Sequence, residues 1–306
     1  MNSIRLALLA AVLLLAGCES YVASTDEERT ASFKNYATST IAGQPAEFYL
    51  QSRTAVILSG AYALAARSDG QTLTVFFRPT AAGDYGHAAA IEADGYFITA
   101  AHCVSDTINY LIYFDGHSAR IAVPRVVARQ FDPEKALDFA ILQVDARLPA
   151  VFAWARPGEF RPGATAFSVG CTAPYDLGLQ QRAYEATCLA GHLGRLAAMS
   201  TGARVIVSDL PIRKGDSGSP LVTAGGRLLG VNSRVGLDRE QARIQISVRP
   251  DPAWVARTIW EDQLRRGSGP PAVAEPPLPP NPRNDPACSL SFKLCDDPAL
   301  VPGTVK

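Results

Sequence analysis

Gly215-Asp216-Ser217-Gly218-Ser219-Pro220 is the stretch on which the reading of this chain turns. Its serine stands between glycines in a loop that precedes an expected strand. Glycine ahead of the serine lets the backbone fold tightly, so that successive N–H groups can point at a developing oxyanion. A serine hydroxyl is a poor nucleophile until a base within hydrogen-bond reach takes its proton. An imidazole suits that task, and a buried carboxylate fixes its tautomer and steadies the imidazolium. Both groups occur upstream. Thr99-Ala100-Ala101-His102-Cys103-Val104 closes an expected strand, and Asp138-Phe139-Ala140-Ile141-Leu142 opens another. Each residue alone would be an ordinary polar group at a strand end or turn. Together, in these contexts, they point to nucleophilic catalysis.

The chain around them has 306 residues, 47% hydrophobic and 19% charged, a globular composition with apolar material for a sizeable core. Lys plus Arg and Asp plus Glu number 29 each. Nucleic acid binds chiefly through phosphate neutralisation, so this neutral chain is not read as its partner. From about Thr54 to Val248 short β-forming segments recur. Thr72–Phe77 is one. His87–Glu92 turns through Asp94-Gly95 into Tyr96–Ala100, and Asn109–Phe114 turns through Asp115-Gly116 into Ser118–Val123. Phe139–Val144, Ala164–Gly170, Arg182–Leu189, Arg204–Ser208, Leu221–Thr223, Arg227–Val231 and Arg243–Val248 follow. Many short strands with regular turn signals predict a sandwich or barrel. One helix follows them. Asp251 can cap it, Pro252 suits its first turn, and Trp254–Arg266 has no breaker. Val255 with Ile259, and Trp260 with Leu264, are spaced to form its buried face.

The three motif segments, in the order His, Asp, Ser, resemble the trypsin-like serine proteases over about Thr54 to Arg266. The resemblance implies an all-β fold of two perpendicular antiparallel six-stranded barrels, with the site between them and the C-terminal helix packed on the second. It makes His102 the general base, Asp138 its orienting carboxylate and Ser217 the nucleophile. The N–H groups of Gly215 and Ser217 would form the oxyanion hole, and Ser233 would support Asp138. The implied reaction is hydrolysis of envelope polypeptides through an acyl-enzyme, with no metal or organic cofactor. The floor of the primary specificity pocket would fall at Pro211, followed by Ile212. Without an acid there, cleavage is expected after uncharged, mainly aliphatic residues. Ala93-Asp94-Gly95-Tyr96-Phe97-Ile98-Thr99 and Asp209-Leu210-Pro211-Ile212-Arg213-Lys214-Gly215 are similar to the bacterial HtrA-like branch. The chain departs from that branch in carrying Asp216 where Asn is usual, and a proline-rich tail in place of PDZ domains. Asp216 is expected to be solvated or to find another donor, with Arg213, Lys214 and His87 as candidates, and no activating cleavage is expected.

Outside this region, Met1–Gly17 reads as a signal segment with an apolar run, Leu6–Ala16, too short for an ordinary span. Leu15-Ala16-Gly17-Cys18 resembles the lipobox of bacterial lipoproteins, which implies acylation of Cys18 and a lipid anchor in the membrane. Glu19 rather than Asp favours the outer membrane, facing the periplasm, in a Gram-negative cell. Residues 18–53 read as a tether or N-terminal arm, 54–266 as the protease domain, and 267–306 as a proline-rich tail with a small Cys loop. Cys171 with Cys188, and Cys288 with Cys295, are expected to pair, as an exported chain permits. Cys103 is left as a small buried thiol. His87, His117 and His192 lack ligand-like spacing and are read as ordinary surface or hydrogen-bonded histidines. The rival to an enzyme is an envelope binding or chaperone-like protein on the same scaffold.

Overall fold

The computed structural model describes residues 26–68, 72–116, 119–170, 185–188, 190–199, 204–237, 243–267 and 291–296. The signal segment with Cys18, the expected disulfide partners Cys171 and Cys288, and His117 lie outside them.

The chain enters through a helix, α1 (Asp26–Ala37), a two-residue hairpin, β1 (Thr40–Ile41) with β2 (Gln44–Pro45), and a short helix, α2 (Ala46–Gln51). This segment is built into the body. Tyr36, Ile41 and Leu50 are all but inaccessible to solvent. Ala42 N–H donates to Ala224 O at 3.0 Å, and Tyr49 O–H to Gly226 O at 2.8 Å. Arg53 is buried over the Tyr49 ring and donates from Nη1 to Tyr49 O and from Nε to Val151 O. A guanidinium can be buried here because carbonyls receive its protons.

Seven strands follow: β3 (Thr54–Ser68), β4 (Thr72–Glu92), β5 (Tyr96–Thr99), β6 (Asn109–Phe114), β7 (Ala119–Ala122), β8 (Arg125–Asp132) and β9 (Leu137–Gln143). They form an antiparallel sheet in the order β7-β6-β3-β4-β5-β9-β8. The expected segments Thr72–Phe77 and His87–Glu92 are the two ends of one strand, β4, which carries Pro79 opposite a register shift at Ala61. Period-two alternation buries both faces. Val56, Leu58, Ile98 and Ile112 enter one apolar cluster, while Ala55, Ile57, Phe97 and Leu111 enter another.

The second half holds β10 (Ala153–Trp154), β11 (Thr165–Gly170), β12 (Glu185–Cys188), β13 (Ala190–Met199), β14 (Val205–Ser208), β15 (Pro220–Thr223), β16 (Arg227–Leu237) and β17 (Arg243–Val248). The path β16-β15-β11-β13-β14-β17 returns to β16 through the pairing Val231↔Val248, so six antiparallel strands close a barrel. Of the two six-stranded barrels expected, this one closes through its ladders. The N-terminal half is this path of seven strands, whose end strands β7 and β8 are joined at Val123-Pro124. Beyond the proline-rich stretch, β18 (Ser291–Asp296) runs parallel to the start of β4 and antiparallel to β12. Cys295 stands opposite Glu185, and Cys188 opposite Phe292.

The last helix, α3 (Pro252–Arg265), is capped as expected, with Asp251 Oδ1 accepting from Ala253 N–H at 2.9 Å. Its placement differs from expectation: it lies on the N-terminal sheet, not on the second barrel. Trp254 meets Phe139 edge-on, and Asp262 accepts from Arg125 Nη1 and Nη2 and from Tyr96 O–H. The buried face is Val255, Ile259, Asp262 and Gln263, whereas Trp260 and Leu264 are each 50% exposed. Among the described residues no helix is long and apolar enough to cross a membrane.

Candidate active site

Three segments from the two halves converge. β5 ends at Thr99 and passes into a single tight turn, Ala101–Cys103, which presents His102. β9 begins at Leu137 and places Asp138 beside it. The loop that feeds β15 carries Ser217. His102 Nδ1 lies 2.7 Å from Asp138 Oδ2, and His102 backbone N–H donates to Asp138 Oδ1 at 3.0 Å. The carboxylate therefore grips both ring and backbone, which fixes the imidazole with Nδ1 as donor and leaves Nε2 to accept. Ser233, at a register shift in β16, donates its hydroxyl to Asp138 Oδ2 at 2.6 Å. Asp138 is nearly enclosed, while the His102 side chain is 38% exposed.

These contacts set the protonation of the pair. Burial favours the neutral imidazole, but the hydrogen bond to Asp138, the neighbouring Cys103 sulfur and the charge of Asp138 together outweigh it and hold His102 above its ordinary value. Burial works against the Asp138 carboxylate too. The donors His102 and Ser233 more than offset it, so its carboxyl lies below the usual range.

The Ser217 loop is fixed by its glycines and by β16. Gly215 has φ +89° and Gly218 φ +78°, both in the left-handed region. A Cβ on Gly218 would lie 2.0 Å from the carbonyl oxygen of His87. Gly218 N–H donates to Asn232 O at 2.7 Å, Asn232 N–H to Ser219 O at 2.8 Å, and His87 N–H to Ser217 O at 2.8 Å. Among the described residues, no group accepts from Gly215 N–H or Ser217 N–H, so both donors remain available at the serine. The Ser217 hydroxyl donates to Ser233 O at 3.4 Å rather than to His102.

The other expected residues are also accounted for. Asp216 is buried, not solvated, and accepts from Arg213 backbone N–H at 2.9 Å, so Arg213 meets it through the main chain. Pro211 and Ile212 are buried in the approach to the loop. Cys103 is a buried free thiol, and a Cβ on Gly86 would come within 2.8 Å of its Sγ. His87, expected at the surface or hydrogen-bonded, is fully enclosed. Among the described residues no group of three or more His, Cys, Asp and Glu gathers as a metal site. Sequence reasoning missed Asn232, whose main chain clamps the loop from both sides. No local signal other than its place before Ser233 could have marked it.

Residues 86–231 match the family described as "Trypsin-like peptidase domain". A protein of Pseudomonas fluorescens named "Probable periplasmic serine endoprotease DegP-like" is 25% identical over 158 residues, 52% of this chain and 31% of that protein. A protein of the same name from Ectopseudomonas mendocina is 25% identical over 159 residues, again 52% of this chain and 31% of the relative. The chain thus spans about a third of the length of these curated relatives. A crystal structure of the serine endoprotease from Yersinia pestis is 22% identical, with a TM-score of 0.44 over 72% of this chain and 68% of that one. The matched stretch contains the segments that carry His102, Asp138 and Ser217.

Proposed function

We propose that this chain is a serine endopeptidase that cleaves polypeptides through an acyl-enzyme, with Ser217 as nucleophile, His102 as general base and Asp138 as its orienting carboxylate. The observation that carries this reading is one constellation. A carboxylate holds His102 by ring and backbone, and a serine stands beside two backbone N–H groups that have no acceptor within the described chain. In the forward step Ser217 Oγ turns from Ser233 O to His102 Nε2 and attacks the peptide carbonyl carbon. Its proton passes to Nε2, and the carbonyl oxygen takes the negative charge against Gly215 N–H and Ser217 N–H. Collapse breaks the C–N bond, and His102 gives the proton to the departing amine. Water then repeats the sequence on the ester and returns Ser217 as a hydroxyl. Asp138 stays ionised throughout and stabilises the imidazolium. Every catalytic group comes from the chain, so the proposed chemistry calls for no metal or organic cofactor.

The direct test is labelling of the full chain by an active-site-directed fluorophosphonate. Wild type is expected to label at Ser217, and Ser217→Ala and His102→Ala should lower casein turnover by several orders of magnitude. Cleavage by Ser217→Ala at the wild-type rate would refute the assignment. The resting contact of Ser217 with Ser233 O gives the binding-protein alternative its one foothold, and absence of labelling is the outcome that would favour it.

An envelope or periplasmic setting is supported by the relatives named periplasmic. Within it, a lipid anchor on Cys18, with the chain facing the periplasm from the outer membrane, rests on Leu15-Ala16-Gly17-Cys18 and Glu19. Metabolic labelling with a palmitate analogue is expected to mark wild type and not Cys18→Ser. Equal membrane association of an unlabelled wild type and the variant would overturn the anchor.

A further inference from the structure

Behind the Ser217 loop the closed barrel is filled by polar side chains that satisfy one another. Asn232 Nδ2 donates to Ser168 Oγ at 2.8 Å. Gln245 Nε2 donates to Asn232 Oδ1 at 3.0 Å and to Ser247 Oγ at 2.8 Å. Gln245 Oε1 accepts from Ser208 Oγ at 2.6 Å, and Ser247 Oγ lies within donating distance of Asn232 Oδ1 and Gln245 Oε1. The residues come from four strands, β11, β14, β16 and β17, and none is more than 1% exposed.

Their position matters because Asn232 precedes Ser233, whose carbonyl holds the Ser217 hydroxyl, and its main chain clamps Gly218 and Ser219. A peptide whose carbonyl oxygen sits at the Gly215 and Ser217 N–H groups must place the side chain of that residue beside Ser217. There it lies against β16 at Ser233, whose carbonyl takes the Ser217 hydroxyl. Directly behind it is the polar cluster, since Asn232, the residue before Ser233, is paired with Ser247 and bonded to Gln245. A void able to hold one water would leave accessible surface on the side chains that line it. Asn232, Gln245, Ser247, Leu210 and Ile212 show at most 2%. The amide protons of Asn232 and Gln245 that face the cluster are committed within it, so an entering polar group would have to break internal bonds to gain its own.

Granted the catalytic reading above, we propose that Gln245, with Asn232 and Ser247, sets the primary specificity by closing the space behind Ser217. The residue that supplies the scissile carbonyl must then be alanine or glycine. This narrows the aliphatic preference expected from Pro211 and Ile212, and it places the determinant on β17.

The test uses the full chain and succinyl-Ala-Ala-Pro-X 4-methylcoumarylamides with X as Gly, Ala, Val, Leu, Phe or Lys. Wild type is expected to hydrolyse the Ala substrate with a kcat/KM at least about tenfold above those of Leu, Phe and Lys. Gln245→Ala should raise the Val and Leu substrates relative to Ala by roughly tenfold. Ser247→Gly, which removes less, should move the ratio the same way and stands in if Gln245→Ala does not fold. Fluorophosphonate labelling of each variant reports an intact nucleophile. A labelled wild type that prefers Leu, Phe or Lys, or labelled variants with the wild-type profile, would overturn this proposal alone. A wild type that neither labels nor cleaves would overturn the catalytic reading, and this proposal with it.

Discussion

Asp138 shows how much a single residue organises. One oxygen takes the ring of His102 and the hydroxyl of Ser233, and the other takes the His102 backbone N–H. Because the carboxylate raises the His102 pKa, and because the base must be neutral, activity should fall on acidification from a higher pH than an unperturbed imidazole would give. Asp138→Asn should move that acidic limb to lower pH and reduce kcat by up to ~10⁴-fold. A pH profile of kcat/KM for both proteins checks the sign. Gly218 is the second sensitive point. With φ +78° and the His87 carbonyl in the place of a Cβ, Gly218→Ala should displace the nucleophile loop and abolish fluorophosphonate labelling. Labelling of that variant at the wild-type rate would show that the loop tolerates the displacement. Residues of this kind were legible in the sequence because each motif is local: a glycine, a serine and their neighbours carry the geometry themselves. Asn232 and Gln245 were not, because their roles come from partners that only the barrel brings together.

Among elements, α3 separates what periodicity can tell from what it cannot. Its start was readable from Asp251 and Pro252, and its apolar pair Val255 and Ile259 is buried. The expected continuation through Trp260 and Leu264 is not, because the adjoining positions Asp262 and Gln263 find polar partners on the N-terminal sheet. A periodic count of apolar residues cannot foresee a partner more than a hundred residues away. The strand β8 escaped the reading for a related reason. Arg125–Asp132 is only partly buried at the end of its sheet, so its side chains do not alternate cleanly. Asp262→Ala should leave the buried Tyr96 hydroxyl without its acceptor and the Arg125 guanidinium without its carboxylate, at a cost of roughly 1–3 kcal/mol. The urea midpoint is the measure. The Asp262 carboxyl is held below its ordinary value by Arg125, against burial, with help from Tyr96. Its contribution is thus full above the unfolded carboxylate pKa of about 4 and lost as the pH falls through the depressed value. The stability gap between wild type and variant should close in strong acid.

At the scale of the molecule, the segment before the first sheet is structural. Tyr36, Ile41 and Leu50 are buried, and Arg53 fastens α2 to Val151, in the connection between the two halves. Deleting residues 26–53 from a soluble 19–306 chain should therefore give aggregated or inactive protein, while 19–306 itself remains monodisperse and labels with the fluorophosphonate. A truncated chain that labels normally would show the segment to be dispensable. The main-chain donor for Asp216 fits a single-chain enzyme that needs no freed amine. Intact mass measured alongside activity is expected to show full turnover without clipping.

The seating of this segment also sets a leash. With the lipid proposed on Cys18, only eight peptide steps separate the acylated residue from Asp26, where α1 begins. However those residues run, they span at most about 28 Å, and α1, packed on the body, adds no slack. The catalytic body would then be tied to the bilayer by no more than about 28 Å of free chain. It would patrol a thin layer of periplasm, well placed for substrates that are themselves anchored, emerging or stranded at the lipid surface.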